Sequence, residues 1–510
     1  MRTYTSLAAT RRQLAVMLLG FASGLPLALT GQAMQAWLTV DGVDVATIGF
    51  LGLVGMPYTF KFLWAPLMDR FELPWLGRRR GWLVITQLLL ALALVWMSSL
   101  SVQTNTALFA AVAVLIAFLS ASQDIVIDAY RTDVLPERER GLGASLSVFG
   151  YRLAMILSGG IALIWADQWK SWPRVYLVMA GIMAGAAVVS LIFVPGVANN
   201  QFRAPESNAK KELFGFLAML VGAGLGVFIA RQALLMSGLD PNDPNKWIQL
   251  LFVMAEIGLA LPLAAWLARI AGFETLNRSL ESYFSQQGAG ALLLLIVLYK
   301  LGDAFAGSLT TTFLIKAMGF TQAEVGVVNK VMGIWLTIFG AIAGGALMVW
   351  LGLFRALLLF GILQLFSNFG FYEVAVAGKG AWGSFVLPAF DWGFVSLREH
   401  TSVDYLLLSA VAFENISGGM GTAAFVALLM ALCNHRFTVT HYALLSALAS
   451  VGRIYVSPLS GVLSESIGWP SFFLFSVAMG APGIFMVWGM RDTLRRLTGA
   501  GARARTTVDA

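Results

Sequence analysis

Long runs of apolar residues alternate along the whole chain with short polar or glycine-containing connections. A helix needs about 20 mostly apolar residues to cross the hydrocarbon core of a bilayer. Fourteen stretches satisfy that length, and they begin near Leu14, Ala46, Trp82, Ala107, Ala144, Arg174, Phe214, Trp247, Gly290, Glu324, Leu353, Val403, Val439 and Pro470. The pattern therefore predicts an all-α integral membrane protein with fourteen transmembrane helices.

The composition agrees with this prediction. Hydrophobic residues make up 58% of the chain and charged residues only 12%, whereas soluble domains carry about 25% charged residues. The uncharged runs are too long and too uniform for the alternating strands of a membrane barrel. The first apolar run reaches about Trp37 without an A-x-A cleavage pattern, so we expect it to be retained as a helix rather than removed as a signal peptide.

The basic residues predict the orientation of the helices. Of the 34 Lys and Arg residues, 22 lie in the connections on the same side as both chain ends, six in the opposite connections and six inside apolar runs. Because the cytoplasmic side of a membrane protein retains the excess of Lys and Arg, we expect both termini to be cytoplasmic. The net charge of +7 thus reflects topology, and no basic soluble face predicts a nucleic-acid partner.

Two pairs of similar segments indicate an internal repeat. GVDVATIGF from Gly42 aligns with GFTQAEVGV from Gly319, and SLSVFGYRLAMILSGG from Ser145 aligns with SALASVGRIYVSPLSG from Ser446. Two parallel six-helix halves related in this way are typical of the major facilitator fold. The second pair is 24 residues further apart than the first, and the connection at 378–402, where we expect a lid or an interfacial helix, accommodates the difference.

This repeat divides the chain into four parts. The predicted parts are an N-terminal six-helix half at 1–200, a linker with two additional helices at 201–288, a C-terminal six-helix half at 289–492 and a cytoplasmic tail at 493–510. The added pair of helices contains Arg231 and Glu256, and we favour an ion pair between these two residues over a role in transport.

Several acidic residues fall inside the apolar runs, where a charge costs about 2.5 to 3.5 kcal/mol and usually faces the bundle interior. Asp124 and Asp128 are four residues apart and share one helix face, an arrangement that favours proton binding between them. The alternative is that Asp128 and Arg131 only form an ion pair at the helix end. Asp303 and Glu414 fall near the midplane and complete the set of candidate proton-coupling acids.

Basic and amide side chains inside the apolar runs are candidates for binding an anionic cargo. They are Lys61, Gln123, Arg152, Lys300, Lys330, Asn415 and Arg453. Lys300 is three residues from Asp303, a spacing that permits an ion pair on one helix. Two alternatives remain open: Arg152 and Arg453 form structural pairs, and Lys330 extends towards the outer membrane surface.

The connection between the second and third helices contains an acid and several arginines, a composition that suits a segment that opens and closes a transport path. We assign gating to its charged residues together with Arg131, so the candidates are Asp69, Arg70, Arg78, Arg79, Arg80 and Arg131. The alternative is that the arginines only bind anionic lipid headgroups.

The sequence contains no recognisable catalytic or nucleotide-binding motif. Only three histidines are present, and H-E-x-x-H, G-x-S-x-G and Walker A patterns are missing. We therefore expect a protein that is not an enzyme, that holds no metal or other cofactor and that is not driven directly by ATP. An embedded hydrolase using Asp124 and Asp128, a solute channel, and a sensor that transports nothing are the remaining alternatives.

Several strings of the chain resemble the AmpG-type muropeptide permeases of Gram-negative bacteria. Among them are LLGFASGLPLALTG from Leu18, FKFLWAPLMDR from Phe60, SASQDIVIDAYRTDVLP from Ser120, LYKLGDAFAGSLTTTFL from Leu298 and FENISGGMGTAAFVALLM from Phe413. The resemblance extends through both halves, whereas the inserted pair, the connection at 378–402 and the tail look individual.

The resemblance implies proton-coupled import of anhydromuropeptides, GlcNAc-anhydroMurNAc peptides, from the periplasm across the bacterial inner membrane. That activity serves peptidoglycan recycling and β-lactamase induction. Asp124 and Asp128 match the acidic motif of the family, and Gly49 and Gly150 match glycines expected to allow close helix packing. The expected partners are the muropeptide and the lipid bilayer, the expected energy source is the proton gradient, and the expected state is a monomer. The alternative cargo is another large anionic solute, such as an acyl-carrier conjugate or a nucleotide sugar.

Overall fold

The protein is almost entirely helical in the computed structural model, which describes residues 7–65, 68, 76–196, 209–274, 288–391, 396–397, 400–432 and 438–496. The helices of the first half are α1 (Leu7–Leu29), α2 (Gln32–Val40), α3 (Val45–Leu51), α4 (Met56–Phe60), α5 (Arg78–Ser98), α6 (Thr106–Val134), α7 (Glu137–Met155), α8 (Ala162–Trp169) and α9 (Trp172–Ile192). The inserted pair consists of α10 (Ala209–Met236) and α11 (Lys246–Ile270).

The second half repeats the same plan. Its helices are α12 (Ala289–Tyr299), α13 (Leu301–Ser308), α14 (Thr310–Thr312), α15 (Gln322–Val325), α16 (Gly333–Ala377), α17 (Tyr405–Leu432), α18 (Thr438–Ile467) and α19 (Trp469–Gly489). Helix α16 contains two membrane crossings, because Gly352 has a φ of 71° and breaks the helix between them.

Eleven helical runs among the described residues are long and apolar enough to cross a membrane. A helix lies at each of the fourteen predicted positions: α16 supplies two of them, and Val45–Phe60 and α18 supply two that the eleven runs do not include. Fourteen crossings, as predicted, would return the chain to its starting side. We call that side the terminal face and the opposite side the distal face.

The predicted division of the chain remains a prediction, although the helices fit most of it. No described helix crosses the boundaries after residues 200 and 288. The boundary after residue 492, however, falls within a helical turn at 491–496.

The two halves meet closely on the distal side through glycines. A Cβ placed on Gly49 would lie 2.7 Å from the carbonyl oxygen of Ser457 and 2.9 Å from Cα of Gly461. A Cβ on Gly326 would lie 2.8 Å from the carbonyl oxygen of Gly160. Since real Cβ atoms do not approach other atoms so closely, only glycine permits this contact between the halves.

Hydrogen bonds close the same side of the molecule. The Gln35 amide donates to the carbonyl oxygen of Ser308 at 2.8 Å, and the hydroxyl groups of Thr39 and Thr312 lie 3.1 Å apart. The backbone N–H of Ala323, at the start of α15, donates to Asp167 of α8 at 3.3 Å. Among the described side chains, the hydrogen bonds between the halves lie on this distal side.

The inserted helices pack tightly on each other and then against both halves. A Cβ on Gly222 would lie 2.6 Å from the carbonyl oxygen of Leu263, so glycine permits close contact of α10 and α11. At the distal end of α11, the Trp247 ring N–H donates to Ser466 of the second half at 3.1 Å. In this region Arg231 interacts electrostatically with Glu256, and the predicted ion pair between them stays a prediction.

Asp44 connects the inserted pair to the first half. Its carboxylate caps α3 by accepting from the Thr47 backbone N–H at 2.9 Å and lies 3.2 Å from Lys246 of α11. Burial alone would raise the pKa of Asp44, but the hydrogen bonds from Thr47 and the charge of Lys246 outweigh burial and hold the pKa below its ordinary value of 3.8. The ionised form of Asp44 therefore stabilises the fold.

We expect Asp44→Ala to lower the free energy of unfolding by about 1 kcal/mol, because an N-cap is lost. Asp44→Asn keeps an oxygen that caps the helix and loses the ion pair and the hydrogen bond from the Thr47 hydroxyl to Oδ2, so its effect is smaller, about 0 to 1 kcal/mol. Because the folded-state pKa is depressed, the difference between wild type and Asp44→Asn is present above pH 3.8 and disappears as the pH falls through the folded-state value. Thermal unfolding in detergent at several pH values measures it, and a difference that grows in acid contradicts the prediction.

The long distal connection forms strands, so the predicted interfacial helix is wrong. Strand β1 (Ser384–Leu387) pairs antiparallel with β4 (Thr401–Asp404), and β2 (Phe390–Asp391) pairs with β3 (Ser396–Leu397). Leu397 is buried against Ile164 of the first half and Val327 of the second. This hairpin therefore covers part of the distal contact between the halves, as a lid would.

Candidate functional site

In the first half, one lysine lies between two carboxylates. Lys61 belongs to a 3₁₀ segment that follows α4, and its Nζ lies 3.7 Å from Asp124 Oδ2 and 3.8 Å from Asp128 Oδ2. The Ser23 hydroxyl of α1 donates to Asp124 Oδ1 at 2.5 Å. Asp128 also contacts Arg131 at 3.4 Å. Lys61 thus lies between the two predicted acids, within salt-bridge distance of both.

The four charged groups of this cluster differ in exposure. The Asp124 side chain is 16% exposed, and the Asp128 side chain is 56% exposed. Because Asp128 lies nearer the terminal end of α6, exposure of these groups increases towards the terminal face. The helix-end ion pair of Asp128 with Arg131 is also present, so Asp128 contacts both the interior lysine and the terminal end of the helix.

The second half contains the predicted ion pair of Lys300 with Asp303, which the structure confirms at 3.3 Å. The Gln364 amide of α16 donates to the same carboxylate oxygen, Asp303 Oδ2, at 2.6 Å. The Lys300 ammonium also lies over the rings of Tyr299 and Phe425, at 5.8 and 5.7 Å. Asp303 therefore has one charged partner and one neutral partner.

Glu414 forms a second acidic site in the same half. The Asn415 amide donates to Glu414 Oε2 at 2.8 Å, and its oxygen accepts from the Thr337 hydroxyl at 2.7 Å. Lys330 is 5% exposed and interacts electrostatically with Glu414. The idea that Lys330 extends to the outer membrane surface is therefore wrong, because its side chain is enclosed by protein.

Two of the remaining candidate binding residues, Gln123 and Arg152, have no side-chain partner in the described structure. Gln123 is fully buried, and neither atom of its amide has a partner among the described residues. Arg152 of α7 is half-buried and makes no hydrogen bond or ion pair with another described side chain. Arg453 lies on α18, and its side chain is outside the described residues. A half-buried arginine with free donors is suited to bind an anion.

The gating candidates are only partly described. Asp69 and Arg70, and the side chain of Arg78, lie outside the described residues. Arg79 Nε donates to Asp133 of α6 at 2.8 Å, while Arg80 Nε is buried without a partner among the described residues. These contacts lie within the first half, at its terminal end.

Sequence reasoning missed two polar groups of the site and one ion pair outside it. Ser23 and Gln364 each donate to a candidate acid, and Arg12 forms two hydrogen bonds with Glu139, at 2.6 and 3.1 Å. The signal was available for Gln364, since an isolated amide inside an apolar helix usually has a polar partner. For Ser23 there was no such signal, because serine is common in membrane helices.

These contacts describe a cleft between the halves that is closed on the distal side. Lys61, Asp128 and Asp303 are each at least about a third exposed although they lie within membrane-crossing segments. Because lipid does not tolerate such charges, they face a space accessible to water. The cleft therefore opens towards the terminal face, and it contains acids, lysines and an arginine without a side-chain partner in the described structure, which are groups suited to binding protons and anions.

The chain matches the sequence model of the Major Facilitator Superfamily over residues 16–397. It is 44% identical over 483 residues to a protein of Escherichia coli strain K12 named anhydromuropeptide permease, covering 95% of this chain and 80% of that protein. It is 28% identical to a putative transporter AmpG 4 of Rickettsia conorii, covering 92% and 94% of the two chains.

Solved structures share the architecture at low identity. A peptide transporter POT in complex with sulfate matches with a TM-score of 0.65 and 13% identity over 96% of this chain and 95% of that one. The inward open conformation of the xylose transporter XylE from E. coli matches with a TM-score of 0.56 and 13% identity, covering 93% and 95%. These likenesses show the fold, and they agree with the predicted major facilitator fold.

Proposed function

This chain belongs to the major facilitator superfamily and, within it, to the AmpG-type permeases, and from that premise we propose that it imports anhydromuropeptides by proton symport. It is a multi-pass membrane transporter and not an enzyme. The observation that carries the choice of cargo is the 44% identity to an anhydromuropeptide permease through both halves of the chain.

The chemistry of the cleft supports an anionic cargo. The peptide part of a muropeptide carries carboxylates, and Arg152 offers guanidinium donors that no described side chain occupies. Lys61 and Lys300 lie 3.3 to 3.8 Å from the acids that pair with them. A carboxylate of the cargo competes directly with those acids for the lysines. Binding of an anionic cargo is therefore linked to separation of an aspartate from its lysine.

This linkage supplies the proposed proton coupling. When the cargo attracts Lys61, Asp124 loses the cation that stabilises its charge, and a proton replaces it. With Asp124 neutral, the loaded site carries less charge, and the protein changes more easily from the state open on one side to the state open on the other. After release of the cargo on the other side, Lys61 returns to Asp124 and the proton leaves. The proton gradient is the energy source, and no cofactor takes part.

The arrangement of basic residues supports a location in the bacterial inner membrane with both termini in the cytoplasm. The terminal face is then cytoplasmic, and the cleft is open inwards with the periplasmic side closed. The partners are the muropeptide and the bilayer, with no nucleic acid, and one chain supplies both halves of the site, so a monomer suffices. The proposed role is peptidoglycan recycling, with β-lactamase induction as a consequence.

The test is uptake of labelled GlcNAc-anhydromuropeptide into sealed vesicles that contain the protein, with and without a protonophore. We expect accumulation that collapses when the protonophore removes the gradient. Equal uptake in both conditions would retain the cargo but reject symport. No uptake, together with uptake of a different large anion such as a nucleotide sugar, would reject the cargo, and binding without any flux would indicate a sensor.

A further inference from the structure

The carboxylate of Asp303 is approached on one oxygen only. Lys300 Nζ lies 3.3 Å from Oδ2, and Gln364 Nε2 lies 2.6 Å from the same atom. No described side chain donates to Oδ1, and the side chain is 33% exposed. Asp303 is thus accessible from the cleft while two donors hold it in place.

The Gln364 side chain lies against two glycines of α17, Gly418 and Gly421. Gln364 is 4% exposed, and a Cβ on Gly421 of α17 would lie 2.5 Å from its Cδ. A Cβ on Gly418 would lie 3.9 Å from its Nε2. Although Gln364 is almost fully buried, its Oε1 has no hydrogen-bond partner among the described residues. One end of this amide therefore binds Asp303, and the other end is unused.

We propose that Gln364 is a positioning residue that allows Asp303 to bind a proton during transport. A carboxylate can only accept hydrogen bonds, whereas a carboxylic acid also donates one, and an amide offers both a donor and an acceptor. Half a turn about the Cγ–Cδ bond of Gln364 replaces Nε2 by Oε1 opposite Asp303. Gln364 can thus form a hydrogen bond with Asp303 in both its ionised and its protonated form.

The amide that contacts Glu414 cannot turn in the same way. Asn415 Nδ2 donates both to the Val411 carbonyl oxygen, at 2.9 Å, and to Glu414, at 2.8 Å. Because a carbonyl oxygen only accepts, the amide nitrogen must remain on that side. A partner that only donates stabilises the ionised form of Glu414. Of these two acids, Asp303 is therefore the one whose amide partner can turn between donating and accepting.

The proposed step rests on proton coupling in the proposed function and begins at Lys300. The charged and titratable groups near Asp303 in the described structure are Lys300, Tyr299 and Glu414. A carboxylate of the cargo draws Lys300 away from Oδ2, and a proton from the water of the cleft forms an O–H bond there. That O–H donates to Gln364 Oε1 after the amide has turned. Return of Lys300 displaces the proton to water on the other side.

A transport experiment separates this role from a general packing role. Gln364→Met keeps the size of the side chain and removes both hydrogen-bonding atoms. With an inward pH gradient of one unit, which sustains about tenfold accumulation for each coupled proton, we expect the variant to lose most accumulation while exchange of labelled cargo at equal pH falls much less. Gln364→Glu can donate and accept only when protonated, so it should regain accumulation at acidic pH only. Gln249→Met, in the inserted helix α11, is the matched control and should behave as wild type.

An infrared experiment on the purified protein tests the same inference without any cargo. We expect the pH-difference spectrum to contain a carboxylic C=O band that is lost in Asp303→Asn and displaced in Gln364→Met. A band that is absent, or that Gln364→Met leaves in place, overturns the inference, as does equal loss of exchange and accumulation in the transport experiment. If the wild-type protein shows the expected bands but does not accumulate muropeptide, the proposed function fails and the role of Gln364 stands.

Discussion

Asp124→Asn is expected to abolish uphill uptake while leaving the protein folded. Asparagine has the shape of aspartate and can still accept the Ser23 hydrogen bond that Asp124 receives at 2.5 Å. It cannot, however, take up and release a proton near neutral pH. In vesicles with the membrane potential clamped at zero and an inward gradient of one pH unit, wild type should accumulate cargo about tenfold per coupled proton. The variant should bring the cargo only to equal concentration on both sides.

Two controls accompany this measurement. Asp243→Asn replaces an acid in the distal loop between the inserted helices, where Asp243 accepts from the Asn245 backbone N–H at 2.7 Å, and it should accumulate cargo as wild type does. Lys61 remains beside Asp128 in the Asp124→Asn variant, so binding should weaken less than accumulation. Normal accumulation by Asp124→Asn would remove Asp124 from the coupling role.

Gly326→Leu is expected to prevent closure of the distal side. A Cβ at this position would lie 2.8 Å from the carbonyl oxygen of Gly160 and 3.2 Å from the Leu163 side chain. Overpacking of this kind costs about 1 to 3 kcal/mol, and the cost applies only when the halves touch. The equilibrium should therefore shift about 5-fold to 150-fold towards the state that is open on the distal side, and transport should fall accordingly.

The measurement is labelling of single cysteines placed along the distal side of the cleft, together with uptake. Cys433, the natural cysteine, is first replaced by serine. Gly345→Leu is the matched control on α16, because a Cβ at Gly345 meets no other atom within 4 Å. Distal labelling that stays at the wild-type level in Gly326→Leu would show that the contact at Gly160 does not limit closure.

Local sequence patterns did not predict the strands of the distal hairpin. The connection at 378–402 is aromatic-rich, which suggested a lid or an interfacial helix. The chain instead forms four short strands, and Lys379 contacts Glu324 of α15 at 2.6 Å. Asp404 accepts from the backbone N–H of Gly380 at 2.6 Å and so closes the base of the hairpin. Contacts with residues far away in the sequence decide this segment, since strand formation depends on the neighbours against which side chains pack more than on local propensity.

The sequence by itself determined the helices, their number and the residues inside them that carry charge. Hydrophobic length predicts a crossing because unpaired backbone groups are intolerable in lipid. Local spacing was also sufficient for the ion pair of Lys300 with Asp303 at 3.3 Å, since residues three apart on a helix are neighbours. The resemblance to AmpG-type permeases gave the family, which the comparisons confirm.

Only the tertiary structure decided which charged and polar groups meet. Lys61 contacts Asp124, and Gln364 contacts Asp303, across about sixty positions of the chain. These pairs depend on how each helix is rotated about its axis, and helices that are apolar on all sides carry little periodic signal for that rotation. The close contacts at Gly49 and Gly326 have the same origin. A glycine in a membrane helix is visible in the sequence, but the backbone that approaches it is set by packing of the two halves.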